Sequence, residues 1–340
     1  MSSEPSLPIA APLLAWFARH QRQLPWRGAG ATPYRVWISE IMLQQTQVAK
    51  VIPFFERFLA RFPTPIALAA AEESEVLELW AGLGYYARAR LLHRAARSVN
   101  GELPSSVEGW SALPGVGRYT LGAVRSIAYS EPLALVDGNV LRVFARLYAL
   151  PVRRGELVAE KQIYALAQRH LDVEQPDPSA FNQALMELGA LVCTPKPKCL
   201  LCPVRELCRA HGKGETHRFP LPKIPPKRRA IAMHVGWAEH EGKLLTQTRP
   251  KSGLWAGMRV LPAAETEAAL LALCGELAQA AVSSLGAMAQ VERALTHRDV
   301  TLTLHRVRLR DPRAGEFVVA EALALPSAFA ALVDAREGDA

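Results

Sequence analysis

Cys193, Cys199, Cys202 and Cys208 fall in the run CTPKPKCLLCPVRELC with spacing C-x5-C-x2-C-x5-C, and they are four of the chain's five cysteines. Free cysteines ordinarily scatter as small buried hydrophobes, so a cluster this tight implies a shared task. Four thiolates on one short loop can surround a single metal centre, because closing a short loop costs little chain entropy. Either a [4Fe–4S] cluster or a four-thiolate zinc site matches that donor set. Pro195, Pro197 and Pro203 stiffen the loop before any metal arrives. A disulfide framework fits poorly. Such frameworks belong to small secreted chains, and the N-terminus MSSEPSLPIAAPLLAWFARH carries no basic n-region.

Two carboxylates stand in contexts that tune them differently. Glu40, in VWISEIMLQQTQV, is followed by the uncharged stretch Ile41 to Val48. On an apolar helix face its acid would be partly desolvated and could hold a proton at neutral pH; on a solvated face it would be an ordinary surface glutamate. Asp137, in LALVDGNVLRV, follows an apolar run and precedes a helical pattern. That is an N-cap position, where backbone amides and the helix dipole favour the ionised form. Beside a substrate, the same anion would face a developing cation.

Around these acids lie three segments suited to a polyanion. LPGVG at 113–117 joins two helical patterns, and Gly115 and Gly117 leave room for backbone amides to approach a phosphate, with Arg118 next in the chain. It reads as a helix–hairpin–helix, a clamp on the DNA backbone that ignores sequence. GLGYYARAR at 82–90 mixes glycines, two tyrosines and two arginines, so aromatic wedging between bases and phosphate contacts are both expected there. Gln44, Gln45, Thr46 and Gln47 form an uncharged polar run whose amides could bond base edges.

These residues must be held by helices. Residues 10 to about 210 read as helical, with Val36, Ile41, Val48, Ile52 and Phe55 on one face of a long helix. Further helices are expected at 73–81, 86–99, 106–113, 119–128, 140–150, 160–170 and 178–191. HGKGETHRFPLPKIPPKRR (211–229), with four prolines and six Lys/Arg, reads as a basic linker. Beyond it the pattern turns mixed: strands at 231–238 and 244–248, a helix at 265–281 and a strand at 300–309. The expectation is an α+β chain: an all-α domain over 8–210, the linker, then a mixed α/β domain over 230–340. A length of 340 residues allows two cores, and 50% hydrophobic composition excludes a disordered chain. The formal charge of +8 favours a polyanionic partner, and no apolar run is long enough to span a bilayer. A cytoplasmic, nucleoid-associated monomer is expected.

Taken in order, SEIMLQQTQV, WAGLGYYARAR, LPGVGRYT, VDGNV and the cysteine loop resemble the adenine DNA glycosylases of the MutY type, in the endonuclease III (helix–hairpin–helix) superfamily. The resemblance is dense over residues 10–210 and looser beyond. It implies a DNA repair enzyme that flips adenine mispaired with 8-oxoguanine or guanine and hydrolyses its N-glycosidic bond. It implies that Glu40 is the general acid, that Asp137 stabilises the oxocarbenium-like sugar, and that Asn139 positions Asp137 or the water. At Tyr119 related bifunctional enzymes carry a lysine; a phenol cannot form a Schiff base, so a monofunctional hydrolase is implied. Gln45 or Gln44 resembles the residue that enters the base stack, Tyr85 the lesion-side wedge, and Arg27 a contact near the adenine pocket.

The cysteine loop would hold a [4Fe–4S] cluster with a DNA-binding and structural role. The family's usual first gap is six residues, whereas Cys193 to Cys199 encloses five. The C-terminal part resembles the Nudix-like module that senses oxidised guanine, with SGLWAGM (252–258) and ALTH (294–297) as landmarks. There the family's Phe-Ser-His becomes Leu295-Thr296-His297, leaving Thr296 and His297 to bond the lesion. The acidic helix motif of active Nudix hydrolases is missing around 265–277, so recognition without pyrophosphatase chemistry is implied. Two rivals remain: a bifunctional pyrimidine-lesion glycosylase/lyase, and a non-catalytic iron–sulfur DNA-binding protein.

Overall fold

Short polar caps start the helices of the N-terminal part. Thr32 accepts a hydrogen bond from the Arg35 amide ahead of Pro33, and Thr64 caps the helix that Pro65 opens. Asp177 does the same before Pro178. Proline at the first helical position needs no donor, and the cap oxygen satisfies an amide the helix cannot. The computed structural model describes residues 7–222, 228–250, 253–295, 298–323 and 325–338. Within it the chain divides into two units: Met1–Leu79 with Ala87–Ile224, and Trp80–Tyr86 with Pro225–Ala340.

The helical part runs α1 (Ala10–His20), α2 (Pro33–Leu43), α3 (Val48–Arg61), α4 (Pro65–Ala70), α5 (Glu73–Trp80), α6 (Ala87–Ser98), α7 (Val107–Ser111), α8 (Arg118–Tyr129), α9 (Gly138–Leu147), α10 (Leu157–Glu174), α11 (Pro178–Leu191) and α12 (Arg209–Gly212). A core of Leu13, Phe17, Phe144, Ile163, Phe181 and Leu185 ties α1, α9, α10 and α11 together. The single long helix expected from Val36 to Phe55 is two helices. Gln44 to Gln47 separate α2 from α3, and Gln45 adopts a left-handed φ of 58°. No glycine or proline marks that break. Arg88 on α6 makes it, donating to the carbonyls of Ile41 at 2.8 Å and Met42 at 3.0 Å, and to that of Gln44. A guanidinium thus satisfies carbonyls that a continuing helix would have used.

The stretch 211–222, expected as tether, packs on the helical part. Buried Arg146 donates to the carbonyls of Thr216 and Phe219, each at 2.9 Å, and Phe219 is itself buried. Residues 223–227 lie outside the described residues.

The second unit is a mixed sheet with strands β1 (Arg229–His240), β2 (Lys243–Thr248), β3 (Arg259–Val260), β4 (Ala263–Ala264), β5 (Ala281–Ala294), β6 (Arg298–Arg310) and β7 (Glu316–Val318). Its order is β3-β2-β1-β6-β5, with β4 on β1 and β7 on β2. β1 and β6 run parallel from Arg229↔Arg298 onward, while β5 and β6 are antiparallel. Helix α13 (Glu267–Ala278) covers one core with Leu270 and Cys274; α14 (Ser327–Gly338) covers the other with Phe329 and Leu332. Strand β5 and helix α14 were not anticipated. The β5 sequence AVSSLGAMAQVERA is half exposed and does not alternate, so its pairing with β6 decides its conformation.

Candidate active site

A cavity of about 810 Å³ opens in the helical unit and gathers Arg27, Glu40, Gln44, Gln45, Gly117, Arg118, Tyr119, Asp137 and Asn139 among its lining. Tyr85, Gly115 and the four clustered cysteines are not part of that lining. Glu40 sits on α2, 3% exposed, and the Tyr119 hydroxyl at the start of α8 donates to its Oε2. Asp137 caps α9: its Oδ1 accepts from the amides of Asn139 at 2.9 Å and Val140 at 2.7 Å, and its Oδ2 from Asn139 Nδ2 at 2.9 Å. Arg142, one turn on, donates to Asn139 Oδ1 at 2.9 Å, to the Gly189 carbonyl at 2.7 Å and to the Cys193 carbonyl at 2.7 Å. The cap that orients Asp137 is therefore bonded, through one arginine, to the first residue of the cysteine loop.

The two carboxyl groups differ in their balance of forces. Burial pushes Glu40 up to about 7, against the Tyr119 hydrogen bond, with the charge of Asp137 raising it further and that of Arg27 lowering it. Asp137 is also raised by burial, although the amides of Val140 and Asn139 and the Asn139 side chain pull it down. That corrects the expectation of an aspartate held low by its cap: the donors are present, but desolvation outweighs them. Burial and the neighbouring carboxylates hold the Tyr119 phenol well above its ordinary value, so it is a neutral donor.

Sequence reasoning missed Glu187. It stands in the apolar run QALMELGAL on α11, fully buried, and accepts from Arg22 Nε at 2.8 Å, Arg22 Nη2 at 2.9 Å and Arg27 Nη2 at 2.9 Å. Burial raises Glu187, but hydrogen bonds from Arg22 and Arg27 and the charge of Arg27 win and hold it down at about 2. The signal available was an acid at an otherwise apolar helix position, which a solvated face would equally have produced. Arg27 is thereby placed at the cavity as an ion-paired group.

The DNA-facing segments divide in role. Gln44 Nε2 lies 3.3 Å from Thr120 Oγ1, while Gln45 is exposed at the tip of the turn that Arg88 holds. The arginines of GLGYYARAR, expected to hold phosphates, are engaged within the protein: Arg88 serves carbonyls and Arg90 pairs with Glu73 at 3.2 Å. Tyr85 is 45% exposed with a left-handed φ of 52°. In the LPGVG turn, Gly115 has φ 79°, a conformation open to glycine, and Gly117 is the N-cap of α8 with no side chain over its amides. Thr296 and His297 lie outside the described residues.

All five cysteines are free, and Cys193, Cys199, Cys202 and Cys208 line one small cavity together with Arg146 and His211. Among the described residues no three His, Cys, Asp or Glu side chains converge as they would on one ion. Arg146 Nη1 reaches Cys193 Sγ at 3.5 Å and the carbonyls of Thr194 at 2.6 Å and, through Nη2, Pro195 at 3.0 Å, so the loop backbone is fixed by a buried cation.

The helical fold, its acid pair and the glycine turn between α7 and α8 define a class, and comparison agrees: residues 38–187 match the HhH-GPD superfamily of base excision DNA repair proteins. The chain is 45% identical over 227 residues to the adenine DNA glycosylase of Rattus norvegicus, covering 63% of this chain and 44% of that protein. It is 33% identical over 264 residues to the adenine DNA glycosylase of Buchnera aphidicola subsp. Schizaphis graminum, covering 75% of this chain and 74% of that one. A thermostable thymine-DNA glycosylase superimposes with a TM-score of 0.54 at 28% identity, over 60% of this chain and 95% of its own. The chain belongs to the adenine DNA glycosylase family of the HhH-GPD superfamily. It spans less than half the length of the rat relative.

Proposed function

We propose that this chain is a monofunctional adenine DNA glycosylase acting on adenine opposite 8-oxoguanine or guanine in duplex DNA. The observation that carries the reading is Glu40, a buried carboxyl pushed up to about 7 and hydrogen-bonded by Tyr119, in one cavity with Asp137. A group of that proton affinity is populated as an acid near neutral pH and can still release its proton. Once adenine is extruded into the cavity, Glu40 delivers a proton to a ring nitrogen and the base departs neutral. Asp137 faces the sugar as positive charge grows at the anomeric carbon, with both its oxygens fixed by amide donors. Asn139 keeps that carboxylate oriented. Water adds to the sugar and an abasic site remains. One acid and one anion is the pairing that glycoside hydrolysis requires.

Tyr119 occupies the place where a lysine would permit strand cleavage, and its phenol serves only as a donor. Cys193, Cys199, Cys202 and Cys208 would hold a [4Fe–4S] cluster, whose contribution when bound is to brace the loop and its DNA contacts. The second domain would act as a Nudix-like reader of the oxidised guanine, through Thr296 and His297. The protein would work as a monomer in the cytoplasm, on the nucleoid.

The test uses duplexes with adenine opposite 8-oxoguanine, guanine or thymine, followed by alkali to reveal abasic sites. Alkali-dependent breaks at the first two pairs are expected. Strand breaks without alkali, or a stoichiometric protein–DNA adduct after borohydride (Lys161 also lines the cavity), would sink the monofunctional reading.

A further inference from the structure

Between α9 and α10 the chain turns through Arg153, Arg154 and Gly155. The two arginines have separate fates. Arg153 Nε donates to the Pro222 carbonyl at 2.7 Å and its Nη1 to Glu156 at 3.1 Å. Arg154 turns to the cavity and lies across the backbone of Gly138, the residue after Asp137. A Cβ on Gly138 would stand 2.6 Å from the Arg154 Cζ, so the guanidinium rests against bare glycine backbone and would shift for any larger residue.

Among the described residues no acid is paired with that guanidinium. Among the described residues it makes no ion pair or hydrogen bond, and the cavity's other acids are engaged elsewhere: Glu40 with Tyr119, Asp137 with Asn139 and Val140, and Glu187 with Arg22 and Arg27. Glu160 lines the cavity too, without bonding Arg154. An uncompensated cation beside Asp137 would oppose the cationic sugar that the proposed reaction forms. An anion carried by the substrate would remove that opposition. Arg118, stacked on the Tyr164 ring at 3.8 Å, and Lys161 line the same cavity. The anion with that charge and reach, in a cavity that takes an extruded nucleotide, is a phosphodiester.

We infer that Arg154 is a second clamp on the DNA backbone, separate from the LPGVG turn, gripping a phosphate next to the extruded nucleotide and so neutralising itself before the sugar becomes cationic. The inference deepens the proposed function and rests on it for the identity of the extruded nucleotide.

The test is fluorescence anisotropy on a duplex with 2′-fluoro-2′-deoxyadenosine, whose glycosidic bond resists cleavage, opposite 8-oxoguanine, between 50 and 200 mM salt. Losing one phosphate contact lowers the slope of log affinity against log salt by about 0.9. The deficit of Arg154→Gln relative to the parent chain should therefore shrink about threefold across that range. Arg154→Lys should keep the parent slope. Because Arg154 is exposed, both variants should unfold at the parent temperature. An unchanged slope for Arg154→Gln overturns the inference, even if excision falls, since that would make the residue a mere cover for Gly138. A parent chain that releases no adenine from a cleavable duplex, while the Arg154→Gln slope still drops, would sink the proposed function and leave the clamp standing.

Discussion

Replacing Tyr119 by phenylalanine isolates the hydrogen bond that sets the acid. The Tyr119 hydroxyl donates to Glu40, and this bond lowers a carboxyl that burial has raised to about 7. A hydrogen bond to a charged group contributes about 1.5–3 kcal/mol, and one pKa unit corresponds to about 1.4 kcal/mol. Without the phenol, Glu40 should rise by roughly one to two units. The sign follows from the role: the protonated form is active, so excision is full below the pKa and lost as pH rises through it. In the parent chain the single-turnover rate should fall about tenfold from pH 6 to pH 8; in Tyr119→Phe it should fall about twofold or less over the same interval. The ratio of the two rates is the readout, because any loss of absolute rate cancels. An alkaline inflection that stays in place, or moves to lower pH, would refute the assignment of Glu40 as the acid tuned by Tyr119.

Other perturbations test the supports of the site. Glu187→Ala leaves Arg22 and Arg27 facing each other without their buried anion and should destabilise the helical unit by about 3 kcal/mol, seen as a fall in unfolding temperature. In the parent that contribution is present above the unfolded carboxylate range and fades as pH drops toward 2, because Glu187 is held down at about 2. Arg88→Ala frees the C-terminal carbonyls of α2 and the Gln44–Gln45 turn, so affinity for mispaired duplex should fall more than affinity for undamaged duplex. Arg142→Gln removes the guanidinium that donates to Asn139 Oδ1 and to the carbonyls of Gly189 and Cys193. Excision should drop at least tenfold, and the proposed cluster should lose iron faster to a chelator; equal iron retention would separate the loop from the cap.

The parts of this site that were legible were those written locally. Asp137 could be read as a cap because an apolar run, an aspartate, a glycine and an amphipathic pattern follow one another. The cysteine loop was legible by spacing alone. What local pattern could not carry was set by distant partners. Glu40 and Glu187 look alike in sequence, each an acid among apolar residues, yet one meets a phenol and the other two guanidiniums, and their proton affinities diverge from about 7 to about 2. The α2–α3 break is invisible because an arginine more than forty residues later makes it. Raised Asp137 belongs to the same class, since burial is a property of the assembled helices.

The most direct measurement is the amount of free adenine released in a single turnover from a duplex pairing adenine with 8-oxoguanine, by the parent chain and by Glu40→Gln. The account predicts one adenine per bound duplex from the parent, and at least a hundredfold slower release from Glu40→Gln, with duplex affinity retained. Adenine released at equal rates by both proteins would contradict it.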